Sequence, residues 1–120
     1  MNNQTDKKVL SLCGLAARAG RIASGEFQTE TAVKSGTACL VIVAEDASEN
    51  TKKLFHDKCS FYNVHVITMG TKQELGHAIA KEYRASLAIL DEGFAEAVMK
   101  KVKGSEATED KIENGTVSQA

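Results

Sequence analysis

The amino-acid sequence predicts an α/β fold, a layered sandwich with helices on both faces of one sheet. Three observations lead there. Short apolar, β-branched runs alternate with segments of helical period as far as Val102, the pattern of strands separated by helices. One of those runs, Cys39-Leu40-Val41-Ile42-Val43-Ala44, is apolar throughout and does not alternate, as expected of a strand buried on both faces at the centre of a sheet. Several runs are followed within a few residues by one that can cap a helix: Ser48, Thr71 and Asp91.

The elements follow in order. Residues 1–5 are expected to fray. From Asp6, the positions Val9, Leu12, Cys13 and Ala16 recur at helical spacing and Gly20 supplies a stop. A short strand, Arg21–Ser24, leads into a helix that opens at Ser24-Gly25 and closes at Gly36. This helix has little to bury beyond Thr29, Ala32 and Val33. Its other side carries Phe27, Gln28, Thr31 and Lys34 in one continuous stripe. After the central strand, Ser48 caps a helix with Glu49 in its first turn, packing through Leu54, Phe55, Cys59 and Tyr62 and ending at Asn63. Val64–Met69 is the next strand, stopped at Gly70. Thr71-Lys72-Gln73-Glu74 is a capping box, with Leu75, Ala78 and Ile79 facing the core behind it. Leu87–Leu90 is the fourth strand, and Asp91 caps a last helix packing through Phe94, Ala97, Val98 and Val102.

The chain has 120 residues, 42% hydrophobic and 26% charged, which suits one domain with a real core. Residues 1–103 are expected to form that domain. Residues 104–120 lose the apolar period and are expected to be a disordered acidic tail. Within 105–120, Lys111 stands against Glu106, Glu109, Asp110 and Glu113. The net charge of −1 is therefore uneven, and the part before the tail is mildly basic, at +2. Such a balance is compatible with a local RNA-binding patch. No apolar run reaches the ~18 residues of a membrane span, and Met1–Asp6 lacks a signal-peptide pattern; a cytoplasmic protein, not bound to a membrane, is expected. Cys13, Cys39 and Cys59 are widely spaced in apolar surroundings, and His56, His65 and His77 fall in no metal-ligand spacing. Buried reduced thiols, no metal and no cofactor are expected.

In such folds function gathers in loops at one end of the strands, here expected to be Ser24-Gly25, Glu45–Ser48, Gly70–Lys72 and Asp91–Gly93. Glu45-Asp46 ends the central strand, but the earlier strand end offers only Ala23-Ser24, so a receiver-like acidic pocket is incomplete. Met69-Gly70-Thr71-Lys72 could hold a phosphate at a helix start yet is far from a glycine-rich nucleotide loop. No nucleophile–base arrangement stands out, and an enzyme is not expected. What remains is a rim of small, polar and basic groups with free backbone N–H groups at the strand-to-helix openings, a surface that suits nucleic-acid backbone. Tyr83 sits there beside Lys81, Glu82 and Arg84. Its ring could stack on an unpaired base or fold over the sheet edge, and the residues leave both open.

Several stretches together resemble the L-seven-Ae family of ribosomal-protein-type RNA binders, many of which recognise kink-turns. They are Gly25, Gly36-x-Ala38-x-Leu40 through Ala47, Val64-x-Val66, and Thr71-Lys72-x-Glu74-Leu75-Gly76. The likeness is closer to the bacterial YlxQ group, which shares Leu12-x-Gly14-Leu15-Ala16, Ala19-Gly20, Asn50–Lys53 and Leu90–Phe94. It covers about residues 8–102. The resemblance implies a three-layer α/β/α sandwich with a mixed four-stranded sheet, no enzymatic activity, and RNA as partner, with association to the ribosome and a monomeric chain. It places RNA contacts on Gly25, Phe27, Gln28, Thr31 and Lys34, at Ser48, at Thr71 and Lys72, and at Glu82 and Tyr83 in the loop that meets a flipped-out base. Lys72 matches a phosphate-contacting lysine. The kink-turn readers carry Asn-Glu where this chain has Phe27-Gln28, and a lysine at Thr31. Gln28 and Thr31 can still donate and accept hydrogen bonds; Phe27 cannot. A protein-interaction module using the same rim is the alternative.

Overall fold

The structure, a computed structural model, describes residues 3–110, with side chains through Gly104. Nine elements alternate as the sequence predicts: α1 (Asn3–Arg18), β1 (Ile22–Ser24), α2 (Glu26–Ser35), β2 (Leu40–Val43), α3 (Glu49–Tyr62), β3 (His65–Thr68), α4 (Lys72–Ala78), β4 (Ser86–Ile89) and α5 (Glu92–Asp110). The four strands form one mixed sheet in the order β1-β4-β2-β3. β2 and β3 run parallel, Leu40 beside His65, while β4 runs antiparallel to both of its neighbours. Helices α2 and α3 cover one face; α1 packs with α4 and α5 on the other.

The central position of β2 follows from its composition. All four of its residues and all four of β4 are buried, which only strands flanked on both sides and covered on both faces can achieve. Phe55 from α3, Leu75 from α4 and Val98 from α5 are among the fully buried residues packed around them. Edge strand β3 is more open, and His65 is exposed. No helix among the described residues is long and apolar enough to cross a membrane.

Local signals account for the helix ends. Ser48 Oγ accepts from the Thr51 amide at 3.1 Å, and Asn63 ends α3 with φ 61°. Thr71 and Glu74 form the reciprocal capping box. Asp91 Oδ2 accepts from the Phe94 amide at 2.9 Å.

Four expectations need correction. The first helix starts at Asn3, not Asp6, because Thr5 is buried in the packed side of α1. Tyr62 does not pack inside: it is 39% exposed and meets Phe61 edge-to-face at 4.9 Å, leaving Phe55 and Cys59 as the buried side of α3. Helix α5 continues to Asp110, so the expected tail begins inside it; residues 104–110 are helical, and 111–120 lie outside the described residues. Alanine and glutamate are good helix formers, and a helix can outrun its apolar stripe. Finally, Asp91–Gly93 does not join the other loops. Because β4 is antiparallel to β2, with Leu40 opposite Ile89 and Val43 opposite Ser86, its C-terminal end lies at the opposite end of the sheet. The loop entering β4 takes its place.

Candidate nucleic-acid interface

One end of the sheet therefore gathers the exits of β1, β2 and β3 and the entrance of β4. Hydrogen bonds knit these four segments into a continuous rim. The Gly25 amide donates to the Ser86 carbonyl at 3.0 Å, Glu45 to Gly70 at 2.7 Å, Ala44 to Ala85 at 2.9 Å and Arg84 to Lys72 at 3.0 Å. The Lys72 amide donates to Asp46 Oδ1 at 2.8 Å. Under the rim, Ser86 Oγ donates to Thr29 Oγ1 at 3.4 Å, both residues being fully buried.

The expected free N–H groups at the helix openings are mostly taken. Ser48, Thr71, Glu74 and Asp46 occupy first-turn amides of α3 and α4, and Asp91 does so for α5. The reason is the cap chemistry itself: a residue that marks a helix start in sequence also consumes its orphan donors. Helix α2 differs. Its N-cap is Gly25, with no side-chain cap, and its first-turn amides face the rim with the positive end of the helix dipole. Gly25 has φ 89°, a conformation natural only to glycine, and a Cβ there would meet nothing within 4 Å. This is open ground for a close-approaching backbone.

The stripe on α2 lies as read. Phe27 is 79% exposed, and Gln28 and Thr31 are exposed beside it. Lys34 sits at the far end of α2 from the rim. It lies nine residues from Gly25, about 13 Å along the helix, and its Nζ is 3.7 Å from Glu30, which Lys58 also approaches at 3.7 Å. Lys72, half-buried, makes no ion pair among the described residues. Tyr83 is 63% exposed, so its ring is not folded over the sheet edge. With Glu82 it lines an open groove of about 640 Å³ whose other walls are Gln73, Glu74, His77 and Lys81.

Ser24, Gly76 and Arg84 also shape the rim through contacts that the sequence does not reveal. Arg84 was visible as a charge beside Tyr83, but its partner Ser24 lies sixty residues earlier. Gly76 looks like an ordinary mid-helix residue, yet a Cβ on it would overlap the backbone of Glu82 and stand 3.0 Å from the Tyr83 amide.

Charge on the rim is mixed. Glu26, Glu45, Asp46, Glu74 and Glu82 are exposed at or near it. Asp6, at the start of α1, lies close enough to Glu45 and Glu74 to feel both; burial first, then those two charges, raise its carboxyl above the usual range. The thiols are remote from this chemistry. Burial pushes Cys13 up to about 12 and Cys59 up to about 11. Cys39, half-buried, is raised by the same cause and by Glu92 and Asp91. No group of three or more metal-ligating side chains assembles among the described residues.

Comparison with known proteins matches this arrangement. The RNA-binding protein YlxQ of Enterococcus faecium is 38% identical over 104 residues, spanning 87% of this chain and all of that protein. The RNA-binding protein YlxQ of Bacillus subtilis (strain 168) is 42% identical over 84 residues, 70% of this chain and 84% of its own. Among solved structures, the Giardia lamblia 15.5kD RNA binding protein superposes with a TM-score of 0.73 at 25% identity, covering 89% of this chain and 92% of that one. The sequence profile of one family matches residues 7–99, nearly all of the α/β/α sandwich. The chain belongs to the ribosomal protein L7Ae/L30e/S12e/Gadd45 family.

Proposed function

We propose that this protein is a non-enzymatic, cytoplasmic, monomeric RNA-binding protein that associates with the ribosome and takes a structured, kink-turn-like RNA against the rim. The observation that carries this reading is the uncapped entrance of α2: Gly25 carries no side-chain cap and has open space where a Cβ would stand, and it is tied through Ser86 to the strand behind the Tyr83 loop. A phosphate backbone can approach the first-turn amides closely there, while the exposed Tyr83 ring meets an unpaired base. Gln28 and Thr31 then face the groove edges, and Lys72 supplies a cation to a phosphate. Ser48 and Thr71 hold the adjoining turns, with Glu82 beside the base. The names of the two YlxQ relatives and of the Giardia protein support RNA as the ligand.

A gel-shift series tests it. Kink-turn RNA is expected to bind more tightly than the same RNA with both G·A pairs replaced, and binding is expected to weaken with salt. Equal affinity for the two RNAs removes kink-turn specificity; no binding to either removes RNA. The exposure of Phe27 favours a second reading, in which the rim docks a protein partner without RNA. Purification with and without nuclease separates them: absence of copurifying nucleic acid, with a protein pull-down abolished by Phe27→Asp, establishes the second.

A further inference from the structure

We propose that Arg84 is a positioning residue of the RNA-binding surface, clamping the Tyr83 loop to the entrance of α2 so that one RNA meets both at a fixed spacing. This rests on the RNA reading above. Arg84 bonds three segments at once. Its Nε donates to Ser24 Oγ at 3.0 Å, its Nη1 to the Tyr83 carbonyl at 2.8 Å, and its backbone amide to the Lys72 carbonyl at 3.0 Å. Ser24 is the residue before Gly25, Tyr83 carries the exposed ring, and Lys72 carries the unpaired cation. The guanidinium thus joins two of the places where the ligand is expected to touch, and the Arg84 backbone ties in the third.

The loop is held on its other side as well. Gly76 lets the Glu82–Tyr83 backbone lie directly against α4, the Glu82 carbonyl carbon being 2.6 Å from where a Cβ would stand. The Lys81 amide donates to the Gly76 carbonyl at 2.8 Å, and Ala80 turns the chain at φ 62°, a left-handed conformation that a non-glycine residue adopts only when its surroundings enforce it. With α4 as a wall, Arg84 decides the remaining freedom: the distance between the ring and α2. A planar fork of donors can satisfy a hydroxyl and a carbonyl together, whereas the ammonium of a lysine cannot reproduce that geometry. Preorganisation of this kind strengthens binding by removing the ordering cost of the loop.

The test measures binding of kink-turn RNA at several salt concentrations by the wild-type chain, Arg84→Ala, Arg84→Lys, Tyr83→Ala and the Arg84→Ala/Tyr83→Ala double variant. Arg84→Ala is expected to weaken binding about tenfold, the effect of losing hydrogen bonds from a charged donor. Arg84→Lys is expected not to restore it, and the slope of affinity against salt is expected not to change. In the Tyr83→Ala background the loss from Arg84→Ala should shrink below about threefold, because there is no ring left to place. In the free protein, amide exchange at residues 81–83 and Gly25 should quicken in Arg84→Ala. Full affinity in Arg84→Lys, or a salt slope lower by about one, identifies a direct phosphate contact and overturns the clamp. Additive losses or unchanged exchange overturn it too. Should Arg84→Ala not fold, Ser24→Ala removes only the Nε acceptor and is expected to weaken binding about threefold; wild-type affinity there overturns the proposal. A wild-type chain that binds no kink-turn RNA overturns the RNA reading and the clamp together, while wild-type binding with an indifferent Arg84→Ala overturns the clamp alone.

Discussion

The two halves of the rim are built on opposite plans. Helix α2 buries only Thr29, Ala32 and Val33, has no side-chain cap and keeps Phe27, Gln28 and Thr31 clear of any other element. The loops entering α3, α4 and β4 do the reverse, with amides and carboxylates spent on one another through Asp46, Ser48, Thr71, Glu74 and Arg84. An exposed side chain on the first half can be exchanged with almost no consequence for folding. A change in the second half moves backbone. If the proposed RNA reading holds, ligand choice can drift on α2 while the loop half preserves the frame that presents it, and the departures at Phe27, Gln28 and Thr31 all fall on the drifting half.

The contrast can be broken at Gly76. Gly76→Ala forces Glu82 and Tyr83 off α4, and overpacking of this kind costs about 1–3 kcal/mol. Urea unfolding should show that loss together with weakened RNA binding; a fully stable variant would mean that the loop is not fixed by this contact. Lys72→Ala is expected to cost about 1 kcal/mol of RNA affinity and to lower the salt slope by about one, with stability nearly unchanged. An unchanged slope would take Lys72 off the phosphate. On the other half, Thr31→Lys should raise affinity about threefold and steepen the salt dependence while leaving stability within about 0.5 kcal/mol. If it unfolds the protein instead, α2 is not the permissive face described.

The smallest effect is expected at Asp6, whose Oδ1 is buried without a hydrogen-bond partner among the described residues. Burial raises its pKa in the folded state, so the native protein holds that proton more tightly than the unfolded chain. Stability from this group is then greatest in acid and declines as pH rises through the raised value. Asp6→Asn should melt at a slightly higher temperature at pH 7, with the gain fading as pH falls through the carboxylate range. The dipole of α1 favours an acid in its first turn and keeps the gain small; a lower melting temperature at pH 7 would show the dipole dominating.

Much of the fold was legible because burial and capping are local signals. Cys39–Ala44 could only be a covered strand, and Ser48, Asn63, Gly36 and the Thr71–Glu74 box mark helix ends through bonds made within a few residues. The direction of β4 was not legible from residues, since a strand's composition says nothing of its polarity in the sheet; reading all four exits as one cluster consequently misplaced Asp91–Gly93. Exposure at the tips of α3 was misjudged for a related reason, since Tyr62 sits at an apolar spacing where α3 has already run past its cover. For the candidate site, the stripe of α2 could be read from its period, and the resemblance supplied the loops. The clamp of Arg84 on Ser24 and the contact under Gly76 could not be read, because each depends on segments brought together only by the sheet.

Among the described residues, strand β1 pairs with one strand only, β4, with Ile22 opposite Ile89. The first strand made must therefore wait for the last. During synthesis, neither the Gly25–Ser86 bond nor the Ser24–Arg84 bond can close until β4 has emerged, and such long-range pairings are the slow ones. The rim can close only after β4 has emerged. A nascent or truncated chain lacking β4 would carry every residue of the α2 stripe and still not form the rim.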